Sequence, residues 1–196
     1  MTDIVGLVLA GGYSTRYGER DKALAPVAGT PMIRRVVDRV GLVADAVVVN
    51  CRADQRAAVA DALAGTDRVA FALDPVDDAG PLAGLATALS TVDAPVTVVV
   101  ACDMPFVDPD FLTAMIERLD GREAVVPAPD GYRQPTQSVL RTEPARTAVD
   151  DALAAGESSL RAAFDRLDAV ELDAATLSEL GAAESLRDVN RPADLG

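Results

Sequence analysis

Short β-branched runs alternate with amphipathic stretches along the first two thirds of the chain, and few folds accept that alternation. Ile4–Leu9 reads as a strand that enters a glycine-rich turn. Residues 46–50, Val69–Leu73 and Val96–Ala101 read as three more strands. Between them the helical period predicts helices over 31–41, with Pro31 at an early position, and over about 54–64, with Asp54 as a cap. Further helices are predicted over Pro81–Leu89 and over 109–119, the latter capped by Asp108. A strand–helix–strand order needs crossover connections, so it implies a parallel sheet with helices on both faces. Val96–Ala101 is the most apolar run and belongs at the sheet centre.

After Gly121 the pattern changes. Ala124–Pro127 and 135–140 read as short strands around a turn at Asp130 and Gly131. Helices over 145–155 and 159–166, a strand at Ala169–Leu172 and an Asp/Asn/Pro-rich tail over 186–195 complete the chain. With no repeat and no long linker, residues 1–196 are expected to form one domain, with its halves meeting near residue 105.

Composition removes several classes of function. The net charge of −13 leaves no basic face for nucleic-acid phosphates. There are 23 Asp to 8 Glu and 17 Arg to a single Lys, Lys22, a balance suited to strong ionic screening. The absence of His excludes Ser/His and Cys/His nucleophilic machinery and the usual zinc sites. No apolar run approaches ~20 residues and no leader-like segment precedes Ile4, so a cytoplasmic protein without a membrane span is expected. Cys51 and Cys102 follow two predicted parallel strands. With one strand between them they stand roughly 10 Å apart, too far for a disulfide.

The strongest motif follows the first strand: Leu9-Ala10-Gly11-Gly12-Tyr13-Ser14-Thr15-Arg16-Tyr17-Gly18, then Asp21-Lys22. Parallel sheets bind ligands beyond the carboxyl ends of their strands. Gly11 and Gly12 permit positive φ and close backbone approach, so peptide N–H groups can line an anion nest. Arg16 and Lys22 supply charge to compensate a triphosphate. The spacing fits neither a Walker A loop nor G-x-G-x-x-G, which disfavours a dinucleotide dehydrogenase. At the end of the most apolar strand, Ala101-Cys102-Asp103-Met104-Pro105 offers a hard carboxylate suited to Mg²⁺ on a triphosphate. Gly84, in Gly80-Pro81-Leu82-Ala83-Gly84, costs a helix ~1 kcal/mol against Ala and so marks a close approach to a strand or ligand. Asn50 and Asp74 end two strands and are candidates for hydrogen bonds to a ribose or base.

The Leu-Ala-Gly-Gly…Arg-x-Gly…Asp-Lys run, Gly-Pro-Leu-Ala-Gly and Cys-Asp-Met-Pro together resemble the molybdenum cofactor guanylyltransferases of the MobA type over essentially the whole chain. The resemblance implies a Rossmann-like, mostly parallel twisted α/β sheet of the nucleotide-diphospho-sugar transferase type. It implies a nucleotide-binding half over 1–105 and an acceptor half over 106–196. It also implies transfer of GMP from GTP to the terminal phosphate of molybdopterin, with Mg²⁺ as cofactor and pyrophosphate as product. By resemblance, Leu9, Ala10, Gly11 and Gly12 contact GTP through the backbone, and Lys22 and Arg16 act on its phosphates. Asn50 and Asp74 hold the nucleoside, and Asp103 holds the metal. Gln134, Ser158, Asp188 and Asn190 fall where acceptor contacts are expected, and molybdoenzyme maturation proteins are the implied partners. The Gly11-Gly12 pair favours guanine over the cytidylyl relatives, which tend to carry Ala-Ala-Gly. Two alternatives stand beside this reading. One is the same transfer to another phosphorylated acceptor, such as cobinamide phosphate or phospholactate. The other is a non-catalytic nucleotide-binding regulatory module.

Overall fold

The computed structural model describes residues 3–12, 21–74, 80–191 and 194. A seven-stranded sheet forms the centre. Its strands are β1 (Ile4–Leu9), β4 (Ala46–Cys51), β5 (Val69–Leu73), β6 (Val96–Ala101), β7 (Ala124–Pro127), β8 (Gln137–Arg141) and β9 (Ala169–Leu172), in the spatial order β5-β4-β1-β6-β8-β7-β9. β5, β4, β1 and β6 are mutually parallel, as the alternation predicted. β8 then runs antiparallel to both β6 and β7, and β9 is parallel to β7. The order reverses at β1, which is flanked by β4 on one side and β6 on the other. In an open α/β sheet that reversal opens a crevice at the carboxyl ends of the strands.

Two apolar layers explain why the strands read as continuous hydrophobic runs. Val47, Val49, Val98, Val100, Val125 and Val139 pack on one face, against α1 (Met32–Val40), α2 (Arg56–Ala62), α4 (Pro109–Glu117) and α7 (Ala174–Glu179). Their neighbours one residue on or back, Val48, Val99, Ala124 and Leu140, pack on the other face, against α3 (Pro81–Leu89), α5 (Thr142–Ala154) and α6 (Leu160–Phe164). Side chains alternate across a strand, so burial on both faces needs an apolar residue at every position. At ~1.5–3 kcal/mol for each buried Val or Leu, this double layer is a main stabilising contribution to the sheet. The lone polar residue inside β6, Thr97, pairs its hydroxyl with that of Thr142 at 2.9 Å.

Several boundaries differ from the sequence expectation, each for a local reason. Pro31 does not open α1; it has extended backbone and closes a two-residue strand β3 (Thr30–Pro31) paired with β2 (Pro26–Val27). The hairpin turns through Ala28 at φ 50° and Gly29 at φ 83°, and an Ala where Asn is usual hides that turn. Asp54 does not cap α2. Its carboxylate binds Arg52, and Gln55 occupies the cap position without a capping bond. Asp108 does cap α4, accepting from the Asp110 N–H at 3.0 Å. α5 begins at Thr142 rather than 145, because Pro144 is tolerated in a first helical turn. Ser159 caps α6 from outside it, and the short α7, capped by Asp173, was not anticipated.

Candidate active site

The strand ends on the parallel side of the sheet bring three polar residues and a glycine to the same edge. Asn50 lies near the end of β4, Asp74 follows β5, Gly11 follows β1 and Asp103 follows β6. The strands are locked together at this edge. The Ala10 N–H donates to the Asn50 carbonyl at 2.8 Å and the Cys102 N–H donates to the Leu9 carbonyl at 2.9 Å. The Leu9 carbonyl and the Ala10 N–H are therefore engaged inside the protein, which narrows the backbone these two residues can offer a ligand.

One cluster forms where the first loop returns. Asp21 caps a 3-10 helix, Lys22–Leu24, by accepting from the Ala23 N–H at 3.0 Å. Ala23 is anchored in the core and Lys22 is only 9% exposed, so its ammonium has little freedom. The Lys22 Nζ donates to Asp103 Oδ2 at 2.9 Å and to Asn190 Oδ1 at 2.7 Å. The C-terminal segment reaches this point because Val189 is fully buried against Val27 and Met32. Its N–H donates to the Asp103 carbonyl at 2.8 Å. Asn190 Nδ2 in turn donates to the Asp188 carboxylate. Three residues separated by 81 and 168 positions thus meet around one ammonium.

A second cluster lies across β1. Asn50, 2% exposed, donates from Nδ2 to Asp74 Oδ1 at 2.7 Å and to the Ala72 carbonyl at 3.2 Å. That fixes the amide and aims the Asp74 carboxylate. Two glycines leave room for the pair. A Cβ on Gly11 would fall 2.2 Å from Asp74 Oδ2, and one on Gly84 would fall 2.8 Å from Asn50 Oδ1. The cost of Gly84 in α3 is thus explained by close approach to the strand-end polar groups. Gly11 and Gly12 are not among the glycines with positive φ, so the expected left-handed backbone does not occur there. Gly12 differs from Gly11, since a Cβ there would meet nothing within 4 Å among the described residues.

Other sites fall elsewhere. Arg16 lies outside the described residues, as do Tyr13, Ser14, Thr15, Tyr17 and Gly18. Gln134 is exposed in the turn between β7 and β8, with its N–H on the Pro127 carbonyl at 2.8 Å. Two residues on, the Thr136 carbonyl accepts from the Ala101 N–H at 2.8 Å, so this segment borders the carboxyl end of β6. Ser158 is exposed, and its carbonyl accepts from the Leu82 N–H at 3.2 Å beside Gly80, at the start of α3. Among the described residues no hydrogen bond ties Gln134 or Ser158 to the Lys22 cluster. Sequence reasoning missed Arg52 and Gln55. Arg52 Nη1 donates to the carbonyls of Gly11 and Gly12, each at 3.3 Å, and both side chains are buried. Their signal was a run of polar residues, Arg52, Asp54 and Gln55, directly after an apolar strand.

The chemistry available is electrostatic. Both cysteines are free, as expected, and β1 turns out to separate their strands. Burial and then the nearby Asp74 raise the Cys51 thiol to about 11, and burial and then Asp103 push Cys102 up further. Neither is a thiolate nucleophile at neutral pH. Among the described residues no group of three or more His, Cys, Asp or Glu could hold a metal alone. The Asp103 carboxylate and the Asn190 amide oxygen are hard donors. Mg²⁺ is commonly bound through one or two such groups, with waters and substrate phosphates filling its octahedron. This donor set fits that ion. Among the described residues no helix is long and apolar enough to cross a membrane.

Comparison with known proteins identifies the family. Residues 6–171 match the model of the MobA-like NTP transferase domain. A probable molybdenum cofactor guanylyltransferase of Natronomonas pharaonis is 42% identical over all of this chain and 96% of its own length. A molybdenum cofactor guanylyltransferase of Pseudomonas putida is 35% identical over 93% of this chain and 95% of its own. Among solved structures, the molybdopterin-guanine dinucleotide biosynthesis protein A of Archaeoglobus fulgidus superposes with a TM-score of 0.77 at 26% identity, covering 97% of this chain and 94% of its own. A 4-diphosphocytidyl-2C-methyl-D-erythritol synthase of Anaerococcus prevotii shares the fold at 0.77 with 13% identity, covering 98% of this chain and 94% of its own. The resemblance read from the three motifs holds along the chain, which belongs to the MobA-like NTP transferases.

Proposed function

We propose that this protein transfers GMP from GTP to the terminal phosphate of molybdopterin, releasing pyrophosphate, in the cytoplasm and with Mg²⁺. The carrying observation is the meeting of Lys22, Asp103 and Asn190 at the carboxyl edge of β1 and β6. The names of the relatives support guanine as the base and molybdopterin as the acceptor.

The attacking group is a phosphate monoester with a second pKa near ~6, so it is already anionic at neutral pH. The site needs no general base, and the absence of His is no obstacle. Asp103 and Asn190 would hold Mg²⁺, which supplies charge neutralisation on the triphosphate. Lys22 and a metal ion are both cations seeking one carboxylate, and the charge of the triphosphate is what accommodates both. Lys22 then stabilises the charge that grows on the departing pyrophosphate, which is worth most where water is excluded. Asn50 and Asp74, which Gly11 and Gly84 leave room to pair, hold the nucleoside. Asp188 and the segment from Gln134 to Thr136 border the side from which the acceptor approaches. Ser158 meets the start of α3.

Two measurements test the reading. Calorimetric titration with GTP, CTP, ATP and UTP in Mg²⁺ is expected to show preference for GTP. Labelled GTP offered with molybdopterin, cobinamide phosphate or phospholactate is expected to label molybdopterin. Binding without transfer to any acceptor would sink the enzymatic reading.

A further inference from the structure

The turn that follows β4 is bonded to both ends of the first loop. At the entrance, Arg52 Nη1 donates to the carbonyls of Gly11 and Gly12, each at 3.3 Å. Asp54 braces the same guanidinium, accepting from Nε at 3.1 Å and from Nη2 at 3.3 Å. At the exit, Gln55 Nε2 donates to Asp21 Oδ2. The turn is itself closed, because Gln55 Oε1 accepts from the Arg52 N–H at 3.0 Å. Asp21 uses its other oxygen to cap the helical turn that carries Lys22. Arg52 is 9% exposed and Gln55 4%, although both are polar. Buried polar groups persist where their donors are matched, and here the loop's carbonyls and Asp21 share that role with Asp54.

The direction of these bonds matters. In a trans peptide the N–H points opposite to the C=O. Anchoring the Gly11 carbonyl on Arg52 therefore turns the Gly12 N–H away from β4. A guanidinium bonded to the carbonyl also polarises that peptide, which makes its N–H a stronger donor. Among the described residues a Cβ on Gly12 would meet nothing within 4 Å, so none of them crowds that side of the peptide.

We propose that Arg52 and Gln55 are positioning residues that clasp the two ends of the loop, presenting the Gly12 amide and Lys22 to the triphosphate. This rests on the reading of the loop as a triphosphate site. Neither residue touches substrate; both act through Gly11, Gly12 and Asp21.

A phosphate-count series separates positioning from general damage. Affinities for GTP, GDP and GMP are measured by calorimetry with Mg²⁺ for the wild type, Arg52→Ala and Gln55→Ala. Losing a hydrogen bond to a charged donor weakens binding by about 10- to 100-fold. Arg52→Ala is expected to lose that much for GTP, less for GDP and little for GMP. Gln55→Ala is expected to follow the same order with a smaller loss. Arg52→Lys keeps the charge but not the fork, and is expected to recover only part of the GTP affinity. It carries the comparison if Arg52→Ala does not fold. Equal losses for all three nucleotides, or an Arg52→Ala protein that binds GTP like the wild type, would overturn the clasp. A wild type that binds no GTP would instead overturn the reading of the site itself.

Discussion

The two ends of the crevice hold polar groups by opposite means. Around Asn50 and Asp74 the arrangement is local to neighbouring strands, β4 and β5, and the missing side chains of Gly11 and Gly84 give that pair its room. Around Lys22 the arrangement is assembled from three distant segments and held by an ion pair and an amide contact. The first end is a rigid recess, since its polar groups are fixed by the sheet register. The second depends on the tail returning to the sheet, with Val189 as its anchor. Rigid geometry suits selection of a nucleoside, and charge that can be redistributed suits the reacting phosphates.

The largest effect tests the charged end. Asp103→Asn keeps the shape and removes the carboxylate, and kcat is expected to fall by about 10³-fold or more. Because the Asn190 contact to Lys22 remains, stability should fall by only about 1 kcal/mol. Pyrophosphate release and a thermal melt check both; near-normal turnover would break the contrast drawn here.

The recess is tested by filling it. Gly11→Ala and Gly84→Ala each place a methyl against the end of a side chain, not against backbone. The fold should survive while Asp74 or Asn50 shifts. GTP affinity is expected to fall about 10- to 100-fold, with Gly11→Ala the more severe. If Gly84→Ala instead lowers the melting temperature and leaves GTP affinity unchanged, close packing alone explains that glycine.

A smaller effect concerns selectivity. Removing Asn50 as Asn50→Ala frees Asp74 from its 2.7 Å donor, so discrimination between GTP and CTP should drop several-fold. An unchanged ratio would place base selection elsewhere.

The smallest signal is the quiet of the thiols. Cys51, raised to about 11, stays protonated at pH 8, so thiol reagents should label neither cysteine appreciably unless the protein unfolds. In the linkage, the unfolded thiol ionises from ~8.5. The contribution from keeping Cys51 neutral is therefore complete below that pH and is lost as pH rises through about 11. Rapid labelling of Cys102 at pH 7 would show that the Asp103 end is more open than the recess.

How much of this was legible before any coordinates follows from range. The parallel strands declared themselves because burial on two faces demands unbroken apolar runs, as in Val96–Ala101. Asp103 and Lys22 stood out because each sits at a strand end or directly follows the glycine loop. The β2–β3 hairpin escaped because Ala28 adopts a backbone that Ala seldom takes. Arg52 escaped because its bonds to the first loop go to two carbonyls, which have no sequence signature.

The amino-acid order by itself determined the sheet of alternating strands and helices, the absence of His chemistry and the residue types at the strand ends, because these depend on local period and composition. The tertiary structure alone decided that β1 lies between β4 and β6. It also decided that Asn190 meets Lys22 and that Arg52 and Gln55 grip both ends of one loop. Those outcomes depend on which distant segments share a register, and packing of whole helices against a sheet settles that, not the chemistry of any neighbour in the chain.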